Sequence, residues 1–554
     1  MKIEEFRKRV VSVLFAVILT ACGNAPTTES PVTETFTPIA LATLESTQTS
    51  PPTQTSTPQP HGLPIAYGPD IENFPAGVNP LTGLRVEDPS WLDLPAVLVS
   101  VSNMPVTARP QAGLSFAPWV FEFFIGTGST RFMAVFHGGA PRIIPNVNGG
   151  CEGEGAIPTS ETIGNRVWLD ENENGLQDDW EAGVSGVCVR LMDGNSREVI
   201  AEAVTDSNGY FWFERPSGEV IIQFVKPDFY EFTQMNVGDE DHDSDADPVT
   251  GETRKFIADT TASRSAWDAG LILVSEPSPT PTVAATGTPP GWYIPQEPYI
   301  GPIRSGRLTY NQIGAMFWNS CLVYASAAWD IGEMLDGCEI VYGVDQTTPN
   351  SALLTVTRLR ELAEESRVER QPVNYSGNLF SDAVPANGKP AMDVAVYYHA
   401  FTQAAWKYDP VSGSYLRWTD LADGTGMLIP HTDRLTGRQL AFENVIVLFA
   451  DHERYRHNQF EIDLANGKGG YAYLFRDGQV FPIRWTTRNR EWEKQTGLPR
   501  PIYFLDSQNN PIALHPGQTW IHLVTPFSYV EDRNDGAWRI RFVPPIDPED
   551  TPVP

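Results

Sequence analysis

Ile163–Leu191 reads IGNRVWLDENENGLQDDWEAGVSGVCVRL. At its centre Asp170, Asn172 and Asn174 stand at positions 1, 3 and 5 of a calcium-type loop, with Gly175 at position 6 and Glu181 at position 12. That spacing brings side-chain oxygens, the Leu176 carbonyl and a bidentate carboxylate onto one hard cation, while Asp178 at position 9 binds directly or through a water. Structural Ca2+ is the expected cofactor. An acidic surface turn has the same composition, because Asp, Asn and Gly each favour turns. The flanks RVWL and VSGVCVRL read as strands and not as the long helices of a calcium sensor. The ion is therefore expected to lock a β-module and not to switch a helix pair.

The surrounding residues carry the same signature. Short apolar runs such as NRVWL, VCVRLM, YFWFE and VIIQFV alternate with Gly, Asp, Asn and Pro turns, which is the pattern of an all-β sandwich. From Cys151 to Ile272 there are 26 acidic and 8 basic residues, a net −18 out of −30 for the whole chain. Such a balance argues against nucleic acid as a partner. The run GDEDHDSDAD, Gly238–Asp247, is a second carboxylate cluster; it reads either as a further calcium site or as a loose acidic loop. Together IGNRVWLDENENGLQDDWEAGVSGVCVRL, TDSNGYFWF, DSDADPVTG and WDAGL resemble the B-type repeat of staphylococcal SdrD-like and collagen-adhesin-like surface proteins. The resemblance covers 159–274 and implies a calcium-stabilised Ig-like or prealbumin-like sandwich that acts as a spacer. It places the family's calcium ligands on Asp170, Asn172, Asn174, Leu176, Asp178 and Glu181.

An exported setting is expected from the N-terminus. Lys2, Arg7, Lys8 and Arg9 precede the apolar stretch Val10–Ala21, of signal-peptide length, and Leu19-Thr20-Ala21-Cys22 looks like a bacterial lipobox. It implies lipid attachment at Cys22, so that 1–22 is a lipoprotein signal and the mature chain is anchored in the cell membrane, facing outward. Residues 23–62, rich in Thr, Pro and Ser, read as a disordered stalk. Residues 275–292 form a second linker of that composition, and 544–554 a loose tail.

What lies either side of the β-module has another character. NPLTGLRVEDPS, PAVLVSVSNMPVTARP and RFMAVFHG come before it, and IGPIRSGR, GNLFS, HTDRLTGRQLAFENVIVLFADHE and LHPGQTWIHLV after it. These motifs resemble the YerB-type family of bacterial lipoproteins, in which an RFMAVF-like strand is followed after a short connection by the GPIRSGR-like motif. Here a whole module intervenes, as expected for an insertion at an exposed loop. The expected fold is a multidomain α+β chain: an α/β N-terminal domain from 63–147 and 293–385, and a β-rich C-terminal domain over 386–543. PAVLVSV and RFMAVF read as buried strands, 113–123 as a helix or turn, 309–318 and 355–366 as helices, and RDGQ as a hairpin turn.

Two constellations outside the module are candidates for chemistry. Arg109, Arg131, Arg304 and Arg307 recur in the family-like motifs and offer planar forks for a phosphate or carboxylate, unless they pair with internal acids such as Glu122. His431, Asp433, Asp451, His452 and Glu453 lie within a short span and are candidates for acid–base or metal chemistry, but at none of the fixed metal-motif spacings. No nucleophile elbow, Walker loop, dinucleotide fingerprint or HExxH occurs. Cys321 and Cys338 are close enough in sequence to bridge in an oxidising exterior; Cys151 with Cys188 is the weaker pair. The expected function is binding or scaffolding at the envelope, with an envelope polymer or surface protein as partner. The alternative is an enzyme or binder acting on an anionic, phosphate-bearing envelope polymer or lipid-linked precursor.

Overall fold

The computed structural model describes residues 65–545 except 145, 152, 154, 160, 239–241, 259–266, 275–296, 344–349, 369–370, 457–458 and 466. The signal and lipobox, the stalk, the 275–292 linker and the tail beyond 545 lie outside the described residues.

Trp119–Gly126, WVFEFFIG, organises the host fold and is buried along its whole length. A helix or turn was expected over 113–123, and Leu114–Phe116 supplies only one 3-10 turn there. The run shows no polar alternation because both of its faces are covered, which hides the period of two. It pairs antiparallel with Ser129–Phe136 and parallel with Thr519–Val524, Phe121 standing opposite Ile521. The mixed sheet continues through Val97–Ser102 and Cys321–Tyr324 on one side, and through Asn444–Phe449, Gly469–Arg476 and Gln479–Thr486 on the other.

The β-rich expectation is met. An α/β N-terminal domain is not seen: the described helices of that part are Thr309–Gly314, Trp329–Gly332 and Val356–Glu365. Its strands share one sheet with those of the C-terminal part, so no layer of crossover helices is built around a sheet of its own. A second sheet, ordered Leu428–Pro430, Ser414–Asp420, Thr402–Asp409, Asp393–His399, Ala537–Arg541 and Tyr529–Asp532, covers one face of the first. Between them Val99, Phe132, Val445 and Trp520 pack with Val396, Trp406, Tyr415 and Trp538. On the opposite face Leu98, Trp119 and Phe121 pack with Tyr310, Ile313 and Phe317.

Several local expectations are met. Helix Val356–Glu365 is capped by the Thr355 side chain, which accepts from Arg358 N, and buries Leu359, Leu362 and Ala363. The RDGQ turn joins Gly469–Arg476 to Gln479–Thr486, with Asp477 at φ 51° and Gly478 at φ 65°. Two successive positive φ values are what a tight hairpin turn following the sheet twist requires.

The inserted module consists of two four-stranded sheets sharing one core. One is ordered Phe256–Ile257, Glu219–Phe224, Cys188–Asp193, Val199–Val204; the other Tyr210–Glu214, Thr162–Leu169, Ala269–Leu273, Tyr230–Phe232. Val189, Leu191, Ile222 and Phe224 face Ile163, Val167, Phe211 and Leu271 in that core. The chain arrives from the host alongside Ser185–Gly186, where Val147 N donates to Ser185 O at 3.0 Å. Gly186 has φ +87°, and a Cβ there would collide with the Val147 carbonyl.

Both cysteine pairs are bridged, Cys151 to Cys188 and Cys321 to Cys338, with Cα separations of 5.5 and 5.4 Å. Replacing Cys321 and Cys338 together by alanine is expected to lower stability by about 3 kcal/mol on the chain-entropy account. The shift of the urea midpoint measures it, and an unchanged midpoint would mean that the bridge does not constrain the unfolded chain.

Candidate functional site

The calcium-type loop leaves strand Thr162–Leu169 at Asp170, whose backbone N–H is taken by Leu271 O at 2.9 Å. Asp170 is 1% exposed and Glu181 2%. The Asp170 carboxylate accepts from Asn174 N at 3.1 Å, Gly175 N at 2.9 Å and the Thr233 hydroxyl at 2.5 Å. Asn172 and Asn174 both donate to Asp178 Oδ2, at 2.9 and 3.0 Å. Glu181 closes the loop by accepting from Glu171 N at 2.9 Å and Asp178 N at 3.0 Å. Gly175 makes its turn at φ +79°, the left-handed region in which glycine is unstrained. Burial, with the Asp170 and Asp178 carboxylates nearby, pushes Glu181 up to about 8. A buried carboxylate beside two others is the electrostatic situation a hard cation relieves. The donor set therefore fits calcium in kind and order. The carboxylate oxygens of Asp170, Asp178 and Glu181 do not all lie within 4.8 Å of one another, and the loop is closed by hydrogen bonds to its own backbone.

The described part of the second acidic run folds against this loop. Gln177 N donates to His242 O at 2.9 Å, and Leu176 bridges Asp243. Asp243, Asp245 and Asp268 are buried. Asp245 accepts from Asp268 N at 2.9 Å, and Asp268 accepts from Arg166 N and Asn165 Nδ2. Burial and the Asp245 charge raise the Asp268 carboxyl well above its ordinary value. Asp268 stands in WDAGL, far along the chain from the run, so its place in the cluster was not legible from spacing.

Glu171 and Trp180, at positions 2 and 11 of the loop, meet the host. Arg142 reaches Glu171 at 3.2 Å and the Trp180 carbonyl at 2.5 Å. Arg438 Nη2 donates to Gly183 O at 2.9 Å, and Asn146 Nδ2 to Thr436 O at 2.7 Å. Beside these contacts lies a cleft of about 370 Å³, lined among others by Arg166 and Tyr210 of the module and Arg438, Glu443 and Gln518 of the host.

The four candidate arginines divide. Arg109 donates to Asp420 Oδ1 at 3.2 Å and is spent on that buried pair. Arg131, Arg304 and Arg307 gather instead around Gly301–Arg307, a segment tied to Val97–Ser102 by Arg304 N to Ser100 O at 2.9 Å and to the far side by Ala325 N to Arg304 O at 2.9 Å. Arg304 donates to Ser102 Oγ at 3.0 Å and Asn350 Oδ1 at 2.7 Å. Arg131, 5% exposed, makes a long bond of 3.4 Å to Ser305 O and meets the Tyr310 side chain, which favours its charge, while its Nε has no hydrogen-bond partner. Burial and the charges of Arg307 and Arg304 bring it down to about 10. Arg307 donates to Ser305 Oγ at 3.0 Å and Gly306 O at 2.9 Å, and its buried Nε also has no partner.

Glu122 is not the acid for these arginines. Its Oε2 accepts from Arg417 Nη2 at 2.9 Å and Trp520 Nε1 at 3.2 Å, and its Oε1 from the Thr130 hydroxyl at 2.9 Å. Arg417 also donates to His431 Nδ1 at 2.5 Å and lies over Trp520 at 4.6 Å. Since arginine only donates, His431 carries its proton on Nε2 and donates through it to Gln111 Oε1 at 2.6 Å. Burial and the Arg417 charge drive His431 well below its ordinary value. Sequence reasoning missed Arg417; its one signal was a charged residue inside an apolar strand, SYLRWT.

The histidine–carboxylate constellation does not assemble. Asp433 accepts from Gly113 N at 3.2 Å and Ser115 N at 2.9 Å, holding the loop ahead of Trp119–Gly126. His452 lies on a separate hairpin with Gln459–Ile462 and bonds the Ala450 carbonyl at 2.9 Å. Glu453 on that hairpin is exposed and stands opposite Glu461. No hydrogen bond or ion pair joins His431 and Asp433 to His452, Glu453 or Asp451 among the described residues.

Comparison with known proteins matches this division. Residues 161–271 match the SdrD B-like domain model, 81–149 the DUF3048 (protein of unknown function) N-terminal domain, and 394–521 the DUF3048 C-terminal domain. The chain therefore carries an SdrD B-like domain set between DUF3048 N- and C-terminal domains. Serine-aspartate repeat-containing protein F of Staphylococcus epidermidis is 34% identical over 131 residues, 24% of this chain and 8% of that protein. The fibrinogen-binding protein of the same species is 42% identical over 90 residues, 16% of this chain and 8% of that protein. Colossin-B of Dictyostelium discoideum is 34% identical over 135 residues, 22% of this chain and 4% of that protein. The chain thus spans under a tenth of each of these three relatives. A crystal structure of YerB from Bacillus subtilis covers 81% of this chain and 96% of its own, at 17% identity and TM-score 0.42.

Proposed function

We propose that the chain is a lipid-anchored cell-envelope protein. Its DUF3048 part binds or scaffolds at the outer side of the membrane, and its B-like domain is stabilised by structural calcium. The observation that carries the calcium reading is the burial of Asp170 and Glu181 on one closed loop with Asn172, Asn174, Leu176 and Asp178. In this reading the ion adds rigidity to a display module and takes no part in a reaction. Calorimetric titration of chelator-treated protein is expected to show calcium binding that Glu181→Gln abolishes; a titration without heat at several temperatures would overturn it. At a hundredfold excess over the dissociation constant the ion should add about 2.7 kcal/mol. Hydrogen exchange across 161–271 in the whole protein reads this as slowed opening. Anchoring is tested by Cys22→Ser, which is expected to move the protein from the membrane fraction to the soluble one.

A second reading is that the DUF3048 part holds an anionic ligand of the envelope, and Arg131 and Arg307 favour it. Neither has a carboxylate partner among the described residues, in a chain of net charge −30. An enzyme acting on such a ligand has less support, because His431 and Asp433 are committed to buried structural bonds.

A further inference from the structure

We propose that Arg131 and Arg307, with Tyr310 and Ser305 beside them, form a binding site for a terminal phosphoryl group. The proposal rests on the anion-binding reading above and narrows it to one chemistry. Arg131 is a cation 5% exposed, with two like charges near it and an Nε that no acceptor meets. A buried guanidinium without a carboxylate is costly, and an anion arriving from outside would relieve that cost. Arg307 presents a second unmet Nε from the neighbouring turn.

The site is also held rigid. Ser102 N donates to Pro302 O at 2.8 Å, Ile303 N to Ala352 O at 2.8 Å, and Gly306 N to Ser326 O at 2.6 Å, so the segment carrying Arg307 is bonded on both sides. Tyr310 is locked from below by its 2.5 Å bond with Ser100 Oγ. Preorganised donors bind an anion without the ordering cost of mobile side chains.

The number of donors selects the ligand. A carboxylate brings one charge and two oxygens in a plane, whereas a phosphomonoester brings nearly two charges and three oxygens in a tetrahedral array. Two guanidinium forks from different elements, with the Ser305 and Tyr310 hydroxyls beside them, match the second. The neighbouring Arg304, held by Ser102 and Asn350, adds to the positive potential without having to touch the ligand.

Inorganic phosphate and acetate are titrated separately against the whole protein, with binding read by calorimetry at fixed ionic strength. Phosphate is expected to bind at least about tenfold more tightly than acetate, and Arg307→Gln to weaken it by about tenfold or more. Arg307 is partly exposed and lies on a turn, so that variant should fold, whereas Arg131→Met risks the core and is checked first for an unchanged melting temperature. A sugar phosphate and vesicles containing phosphatidic acid then separate a soluble ester from a lipid headgroup, and binding of either supports the site. Equal binding of acetate and phosphate would overturn the phosphoryl assignment and leave an anion site standing. Binding of neither would overturn both, as would phosphate binding that survives unchanged in Arg307→Gln and Arg131→Met.

Discussion

Arg417→Ala is expected to destabilise the host by about 3–5 kcal/mol, because it leaves Glu122 charged, buried and without its main partner. Glu122 is 1% exposed and Arg417 1%. Burial alone would raise the Glu122 carboxyl, and it is held below its ordinary value because Arg417 and His522 lie against it. Removing the guanidinium also takes a donor from His431 and empties a space between Trp520 and Phe132. The pair itself need not be a net gain over apolar residues, so Glu122→Gln combined with Arg417→Met should recover most of the loss. Urea midpoints of the two single variants and the double variant measure this. A loss below about 1 kcal/mol for Arg417→Ala would mean that water reaches Glu122 and that the network is not sealed.

Acid should unfold the host through its histidines. Burial lowers His137, His452 and His522 to about 4, and burial with the Arg417 charge takes His431 well below its ordinary value. His522 accepts from Trp406 Nε1 on its Nε2 at 2.9 Å, which fixes the neutral tautomer with hydrogen on Nδ1. A histidine whose folded value is depressed adds stability that is complete above about 6.5, its unfolded value, and is lost as pH falls toward 4. Each such group costs about 1.4 kcal/mol per pH unit in that window, or roughly 3 kcal/mol by pH 4. The buried carboxyls Asp433 and Glu443, which are raised, oppose the trend. A difference measurement isolates one site: His452→Leu, which replaces a ring whose Nε2 has no partner, should make the acid limb shallower by one proton. An acid limb identical to that of the parent protein would show that His452 titrates in the folded state as freely as in the unfolded one.

Much of the inserted module was legible because its physics is local. The calcium-type spacing and several strand and turn signals each lie within one short stretch, although partners such as Thr233 for Asp170 and Ala269–Leu273 for Thr162–Leu169 lie much further along the chain. Trp119–Gly126 was hidden for the opposite reason: burial on both faces removes the alternation that marks a strand. The guanidinium cluster was half legible. Arg131, Arg304 and Arg307 were singled out together with Arg109, but nothing in the sequence could foretell that Asp420 claims Arg109 alone. His431 and Asp433 looked like acid–base groups because their types are common in active sites, whereas their bonds to Gln111, Gly113 and Ser115 are structural. Those partners lie more than 300 residues away, beyond any spacing rule.

The place of Thr519–Val524 between Trp119–Gly126 and Asn444–Phe449 has a consequence for the order in which the chain matures. As synthesis proceeds, Val97–Ser102, Trp119–Gly126 and Ser129–Phe136 can form a ribbon early, but its Trp119–Gly126 edge stays open until residue 519 has been made. The B-like module has every strand partner within 162–273 and can close while the host is still incomplete. Pairings of such long separation are slow, and an open apolar strand edge is exposed to aggregation in the meantime. Truncations near the C-terminus should therefore expose the first-made strands, and a holding chaperone would be needed for the host rather than for its insert.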